Sequence, residues 1–205
     1  MRQFFFFLFA ISFGLASYGQ SQNSKKLFTI DSVDIGGYIG FNTKLTTINS
    51  LGAGIVDLQF AVVINHKWVV GYNTSGLVND RHLNKLVTDA DYHLMGGYQG
   101  IFIERMYKPA EDFRFAVSFL VGQGNVKYMY CRSVIADKKW YEEIIDQAEF
   151  YIIQPSLEIN YNLIDDFWIG LNAGINLTTA IRMMDTDRAL LNKCNGGLTI
   201  KYGVL

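Results

Sequence analysis

The groups from which this chain could build a reactive centre are few and scattered. His66, His82 and His93 are its only histidines, and no HxxxH or comparable spacing places two of them on one face. A catalytic or metal site needs several such groups converging on one point. These three fall in a turn, a loop and a loop end, so they read as surface histidines. Asp185 and Asp187 have the spacing of a calcium-ligand pair but lack the glycine and distal glutamate of an EF-hand loop. Gly122-Gln123-Gly124 ends a strand with no helix after it, so it offers no nucleotide-binding loop. The reading assigns no catalytic residue, no metal and no cofactor.

The informative charges are Asp57, Glu104, Arg114, Glu158 and Lys201. Each falls on the polar side of a stretch that alternates apolar with polar residues, the mark of a strand with two unlike faces. Such stretches recur at about residues 33–45, 56–64, 68–73, 94–107, 113–122, 151–163, 167–177 and 198–204. Phe113, Phe115, Val117, Phe119 and Val121 oppose Arg114, Ala116, Ser118, Leu120 and Gly122 in the clearest of them. In the fourth, Met95, Ile101, Ile103 and Tyr107 are set outward. That register places Gln99 rather than Glu104 on the apolar side, because an unpaired amide costs less there than a carboxylate. Pro155 cannot donate to a ladder, so a bulge or local break belongs there.

The connections alternate in length. Short turns fall at Asn65-His66, at residues 108–112 and at residues 164–166; longer polar segments fall at 79–91, 127–148 and 182–193. Strands of roughly ten residues suffice to cross a bilayer when tilted. Short turns at one end and long loops at the other are usual for barrels that do so. Charges avoid one face of nearly every strand, whereas the outer face of a soluble barrel would be studded with them. The fold class is therefore all-β, an eight-stranded antiparallel transmembrane up-and-down β-barrel. Arg114 and Lys201 must then face its lumen, where Asp57, Glu104 and Glu158 are their expected partners, with Lys44 a further cation.

Composition agrees: 205 residues, 50% hydrophobic, 15% aromatic and 18% charged, with 19 glycines. A net charge of −1 offers no partner surface to nucleic acid. The first residues join a basic start, an apolar run from Phe4 to Ala16 and small residues at Ser17 and Gly19. That is the pattern of a secretory signal peptide and too short for a membrane-spanning helix. The expected organisation is a signal peptide at 1–19, a lead segment at 20–32 and the barrel at 33–205.

The last stretch carries a resemblance. Asn195, Gly197, Ile200 and Tyr202 are similar to the C-terminal signal by which bacterial assembly machinery recognises outer-membrane barrels, although three residues follow Tyr202. Over most of the mature length the chain resembles small outer-membrane β-barrel proteins, including the OmpX-like and OmpA-barrel groups, and in texture the barrels of Bacteroidetes. The resemblance implies a Gram-negative outer-membrane location, contact with membrane lipid and lipopolysaccharide, delivery by the barrel assembly machinery, and a monomer. Some proteins of this kind modify lipid A with a histidine near the outer leaflet, for which His82 or His93 would be the candidate.

Two features fall on the long-loop side. Tyr128, Tyr130, Trp140 and Tyr141 make the segment 127–148 rich in aromatics, suited to an external ligand, to lipopolysaccharide headgroups or to packing over the barrel mouth. Cys131 and Cys194 allow one disulfide, with two separate thiols as the alternative. The expected function is a barrel with a plugged polar lumen and a structural or surface-interaction role. A narrow pore or solute carrier is the second reading, and a lipid A-modifying enzyme the third.

Overall fold

The computed structural model describes residues 33–48, 51–78, 91–108, 110–134, 139–183 and 186–205. The expected signal peptide (1–19), the lead segment (20–32), His82 and Asp185 lie outside the described residues, as do the side chains of His93, Tyr130, Cys131, Trp140 and Tyr141.

Nine antiparallel segments follow one another: β1 (Ile35–Ile48), β2 (Leu51–Ile64), β3 (Trp68–Val78), β4 (Asp91–Tyr107), β5 (Phe113–Val134), β6 (Lys139–Ile164), β7 (Phe167–Ile175), β8 (Leu177–Thr178) and β9 (Cys194–Gly203). From β1 to β7 each pairs with the next in the chain, β7 pairs with β9, and β9 pairs with β1, so the sheet closes on itself. β7 and β8 both pair with β6 in one continuous register around Asn176. The nine segments thus form eight spans.

That interruption has a local cause. Ser156 pairs with Gly174 and Ile153 with Leu177, which leaves Pro155 and Gln154 opposite Ile175 and Asn176. Pro155 has no N–H to give. The break expected at Pro155 therefore appears in the neighbouring strand, while β6 itself runs through.

At one end the connections are tight. Asn65 and His66 both adopt positive φ (51° and 52°), and Lys67 N–H donates to the Ile64 carbonyl at 3.1 Å. Two such residues match the twist of a two-residue hairpin. At the other end the structure corrects the expectation of a loop over residues 127–148. β5 continues to Val134 and β6 begins at Lys139, paired throughout, with a register shift after Tyr128 that leaves Ile145 without a partner. The extra residue breaks strict alternation, which is why the stretch reads as irregular in sequence. Residues 46–48, beyond the first expected stretch, are also strand, since β1 runs to Ile48.

The side chains sort as the alternation requires, and in the sense opposite to a soluble protein. Asn42, Asp57, Asn73, Glu104, Asn160, Thr199 and Lys201 are buried, whereas Phe41, Phe60, Ile101, Phe119, Leu171 and Ile200 are exposed. Apolar layers flank the polar middle of the lumen. Val63, Val69, Phe102, Met106 and Trp168 lie toward the short turns; Ile55, Leu94, Tyr98, Val126 and Phe150 lie toward the long connections. In β4, Glu104 faces in at 3% exposure and Ile101 faces out at 62%, the register expected.

Closure brings β1 and β9 very close at Gly197, where a Cβ would stand 2.7 Å from the Lys44 Cα and nearer still to the Thr43 carbonyl. Gly197→Val should force this seam apart, at a cost of about 1–3 kcal/mol from overpacking. A urea titration of the refolded protein, read by the difference in gel mobility between heated and unheated samples, measures it.

Candidate functional site

The polar groups of the lumen gather into three clusters. In the largest, β9 directs Lys201 inward beneath Tyr38 of β1, its Nζ 4.5 Å from the centre of that ring. Lys201 pairs with Glu158 of β6 and with Glu104 of β4, the latter at 3.5 Å. Glu158 also accepts from Asn160 Nδ2 at 2.7 Å and from Thr199 Oγ1 at 3.3 Å, while Asn172 Nδ2 donates to the Thr199 hydroxyl at 2.7 Å. One ammonium thus lies between two carboxylates, and the side-chain donors around Glu158 occupy lone pairs that water would otherwise take. Buried ions are tolerated on those terms.

The second cluster is the pair Lys44–Asp57, joined at 2.5 Å across β1 and β2, with both side chains buried. The third is an amide cluster toward the long connections. Gln154 Nε2 and Asn195 Nδ2 both donate to Asn176 Oδ1 at 2.8 Å, and the Tyr98 hydroxyl reaches Gln154 Oε1 at 3.5 Å. Asn176 stands opposite Gln154, at the break between β7 and β8, and its side-chain oxygen supplies an acceptor to the lumen.

Four of the five expected lumen charges, Asp57, Glu104, Glu158 and Lys201, find ionic partners inside. Arg114 does not, and this is a correction. Its guanidinium lies 5.1 Å from the centre of the Trp168 ring and donates to the Glu111 and Phe113 carbonyls at 3.2 and 3.4 Å. As the second residue of β5 it sits at the short-turn mouth and bonds there to backbone oxygens. Asp57 is held by Lys44 instead. Sequence reasoning did not mark Asn160, Asn172, Asn176 or Thr199 as partners, although all four stand at inward positions of alternating strands.

The long-connection mouth is closed by chain that reads as polar. Ile181, Met183, Leu190 and Leu191 are buried there, and the Tyr128 hydroxyl bonds the Thr186 hydroxyl at 2.8 Å. Thr178 donates to Asn192 Oδ1 through its N–H at 2.6 Å and its hydroxyl at 2.7 Å. Where a polar connection over 182–193 was expected, Ile181, Met183, Leu190 and Leu191 instead pack into the mouth. Tyr128, one of the four expected loop aromatics, is buried on the lumen side of β5, in keeping with packing at the mouth rather than exposure.

Cys194 is a free, exposed thiol at the start of β9. The expected bridge to Cys131 falls on a side chain outside the described residues. Of the resemblance residues, Asn195 belongs to the amide cluster, Gly197 to the seam, and Ile200 and Tyr202 face outward. His66 closes its turn, with Nε2 bonded to Asp34 at 2.7 Å and Nδ1 to the Leu205 carbonyl at 2.9 Å. No group of three or more metal-ligating side chains occurs among the described residues.

Closed antiparallel sheet, polar lumen and apolar outer wall together define the class: a small up-and-down β-barrel with the fold of outer-membrane proteins. The crystal structure of neisserial surface protein A is similar over 85% of this chain and 99% of its own, at a TM-score of 0.55 and 7% identity. The N-terminal β-barrel domain of OprF from Pseudomonas aeruginosa is similar over 84% of this chain and 100% of its own, at 0.50 and 9%. At such identities the likeness concerns the fold alone. No protein-family model and no curated protein sequence matches the chain.

Lys201→Met should leave Glu104 and Glu158 buried without their cation and lower the unfolding free energy by about 3–5 kcal/mol. Adding Glu104→Gln and Glu158→Gln should recover most of that loss. Arg114→Leu, which strands no carboxylate, should cost only about 1 kcal/mol through the lost Trp168 contact. Urea unfolding of the refolded variants in lipid vesicles ranks the three.

Proposed function

We propose that the protein is a closed, non-conducting barrel of the Gram-negative outer membrane, with a structural or surface-interaction role. The observation that carries this is the filled lumen. Lys201, Glu104 and Glu158 occupy its middle, apolar side chains lie above and below, and the buried side chains of Ile181, Met183, Leu190 and Leu191 fill one mouth. Among Ile55, Tyr98, Phe150 and Leu191 lies a void of about 10 Å³, no more than one water requires. A pore would need a continuous water path, and a catalyst would need groups that meet substrate; buried, mutually bonded charges supply neither.

The outer wall supports the membrane setting. A contiguous apolar surface of this kind is a liability in water and a requirement in hydrocarbon. No helix among the described residues is long and apolar enough to cross a membrane, so any crossing falls to the strands. In this reading the signal peptide directs export and is removed after Gly19. The stretch from Asn195 to Tyr202 engages the barrel assembly machinery. The β5–β6 hairpin, with Tyr130, Trp140 and Tyr141, reaches the lipopolysaccharide layer and any external ligand.

Planar-bilayer recording tests the closed lumen: purified barrel should insert without ion steps, and reproducible steps would refute it. Phe119→Arg should destabilise the barrel in vesicles by about 2–4 kcal/mol, the cost of a basic residue facing mid-bilayer. Unchanged urea midpoints would remove the lipid-facing assignment.

A further inference from the structure

We propose that the short-turn end of the barrel binds one anionic phospholipid, with Arg105 holding the phosphate and Lys67 and Lys108 beside it. This rests on the membrane-spanning reading above. Arg105 is an outward residue of β4, directly across from Trp68 of β3 in the ladder. Its guanidinium carbon lies 4.6 Å from the centre of the Trp68 ring and 5.8 Å from that of Tyr107. Two rings therefore orient the cation, yet no carboxylate pairs with it and no acceptor takes its N–H groups among the described residues. A planar fork of free donors matches phosphate oxygens.

The surroundings fit a lipid rather than a free anion. A cleft of about 650 Å³, lined in part by Lys67, Arg105, Tyr107, Lys108 and Phe115, opens at this rim. Lys67 and Lys108 are exposed there. Along the outer wall beside Arg105 the register places Val70, Ile103 and Val117, all exposed, where an acyl chain would lie. Among the acidic groups of this end, Asp34 is bonded to His66 at 2.7 Å. Glu111 and Asp112, on the turn before β5, make no ion pair with the three cations. The cleft lining carries Lys67, Arg105, Lys108 and Arg114 and no carboxylate, which selects a headgroup with net negative charge over a zwitterionic one. Trp and Tyr at the bilayer boundary keep that headgroup level with Arg105.

The full barrel is reconstituted in nanodiscs of phosphatidylcholine with a minor share of phosphatidylglycerol, and the lipid retained on release is counted by native mass spectrometry. Wild type should retain phosphatidylglycerol in preference. Arg105→Gln should reduce that preference about fivefold to tenfold, the worth of one to two basic contacts at an anionic surface. Lys127→Gln, at the opposite end, should not change it. If Arg105→Gln does not fold, the double variant Lys67→Gln/Lys108→Gln carries the test with the same expectation. Equal retention of the two lipids by wild type, or an unchanged preference in the folded variants, overturns the site. Heat-modifiable mobility in pure phosphatidylcholine separates the failures: an unfolded wild type defeats the membrane reading, and a folded barrel without lipid preference defeats the site alone.

Discussion

Pairing of β1 with β9 is the constraint on which the rest depends, because it removes the last edge from the sheet. Once the ring is closed, the ladder N–H and carbonyl groups within it find neighbours in the wall, and a side chain can point only inward or outward. An eight-span ring is narrow. Residues far apart in sequence, such as Glu104 and Lys201, are forced within bonding distance across it. The same narrowness explains Gly197, where even one carbon would collide with the backbone of β1.

Inside that ring the energetics are those of buried charge. An ammonium removed from water is costly unless other groups replace its solvation, and here two carboxylates and the face of Tyr38 do so. The hydrogen bonds of Asn160 and Thr199 then hold Glu158 in place, so the cluster spans β1, β4, β6 and β9 and ties opposite walls together. Apolar layers at both ends keep water from competing. A polar interior leaves the apolar half of each strand on the outside, a surface that suits lipid.

The two ends differ in kind. At the short-turn end, tight hairpins and cations such as Arg105 and Arg114 lie among Trp68, Tyr107 and Trp168. At the long end, β5 and β6 extend as a paired ribbon, and the connection before β9 folds back over the mouth. Cations and aromatic rings thus meet at the short-turn rim, while the other end extends as a paired ribbon.

Strand number, the face of nearly every strand and the identity of the lumen charges were legible in the sequence. Alternation with period two translates directly into two faces, and an Arg or Lys facing lipid at mid-bilayer is too costly to occur by chance. Partner choice was not legible. Arg114 was expected among the carboxylates, yet its place at the strand end leaves it on Trp168 and backbone oxygens, with Lys44 taking Asp57. Residues 127–148 were hidden by one unpaired residue, Ile145, which puts the two halves of β6 out of phase. The inward packing of Ile181, Met183, Leu190 and Leu191 was hidden because these side chains are diluted by charged neighbours and follow no period. Local pattern determines which way a residue points, whereas register, shear and closure determine what it meets, and those are properties of the whole ring.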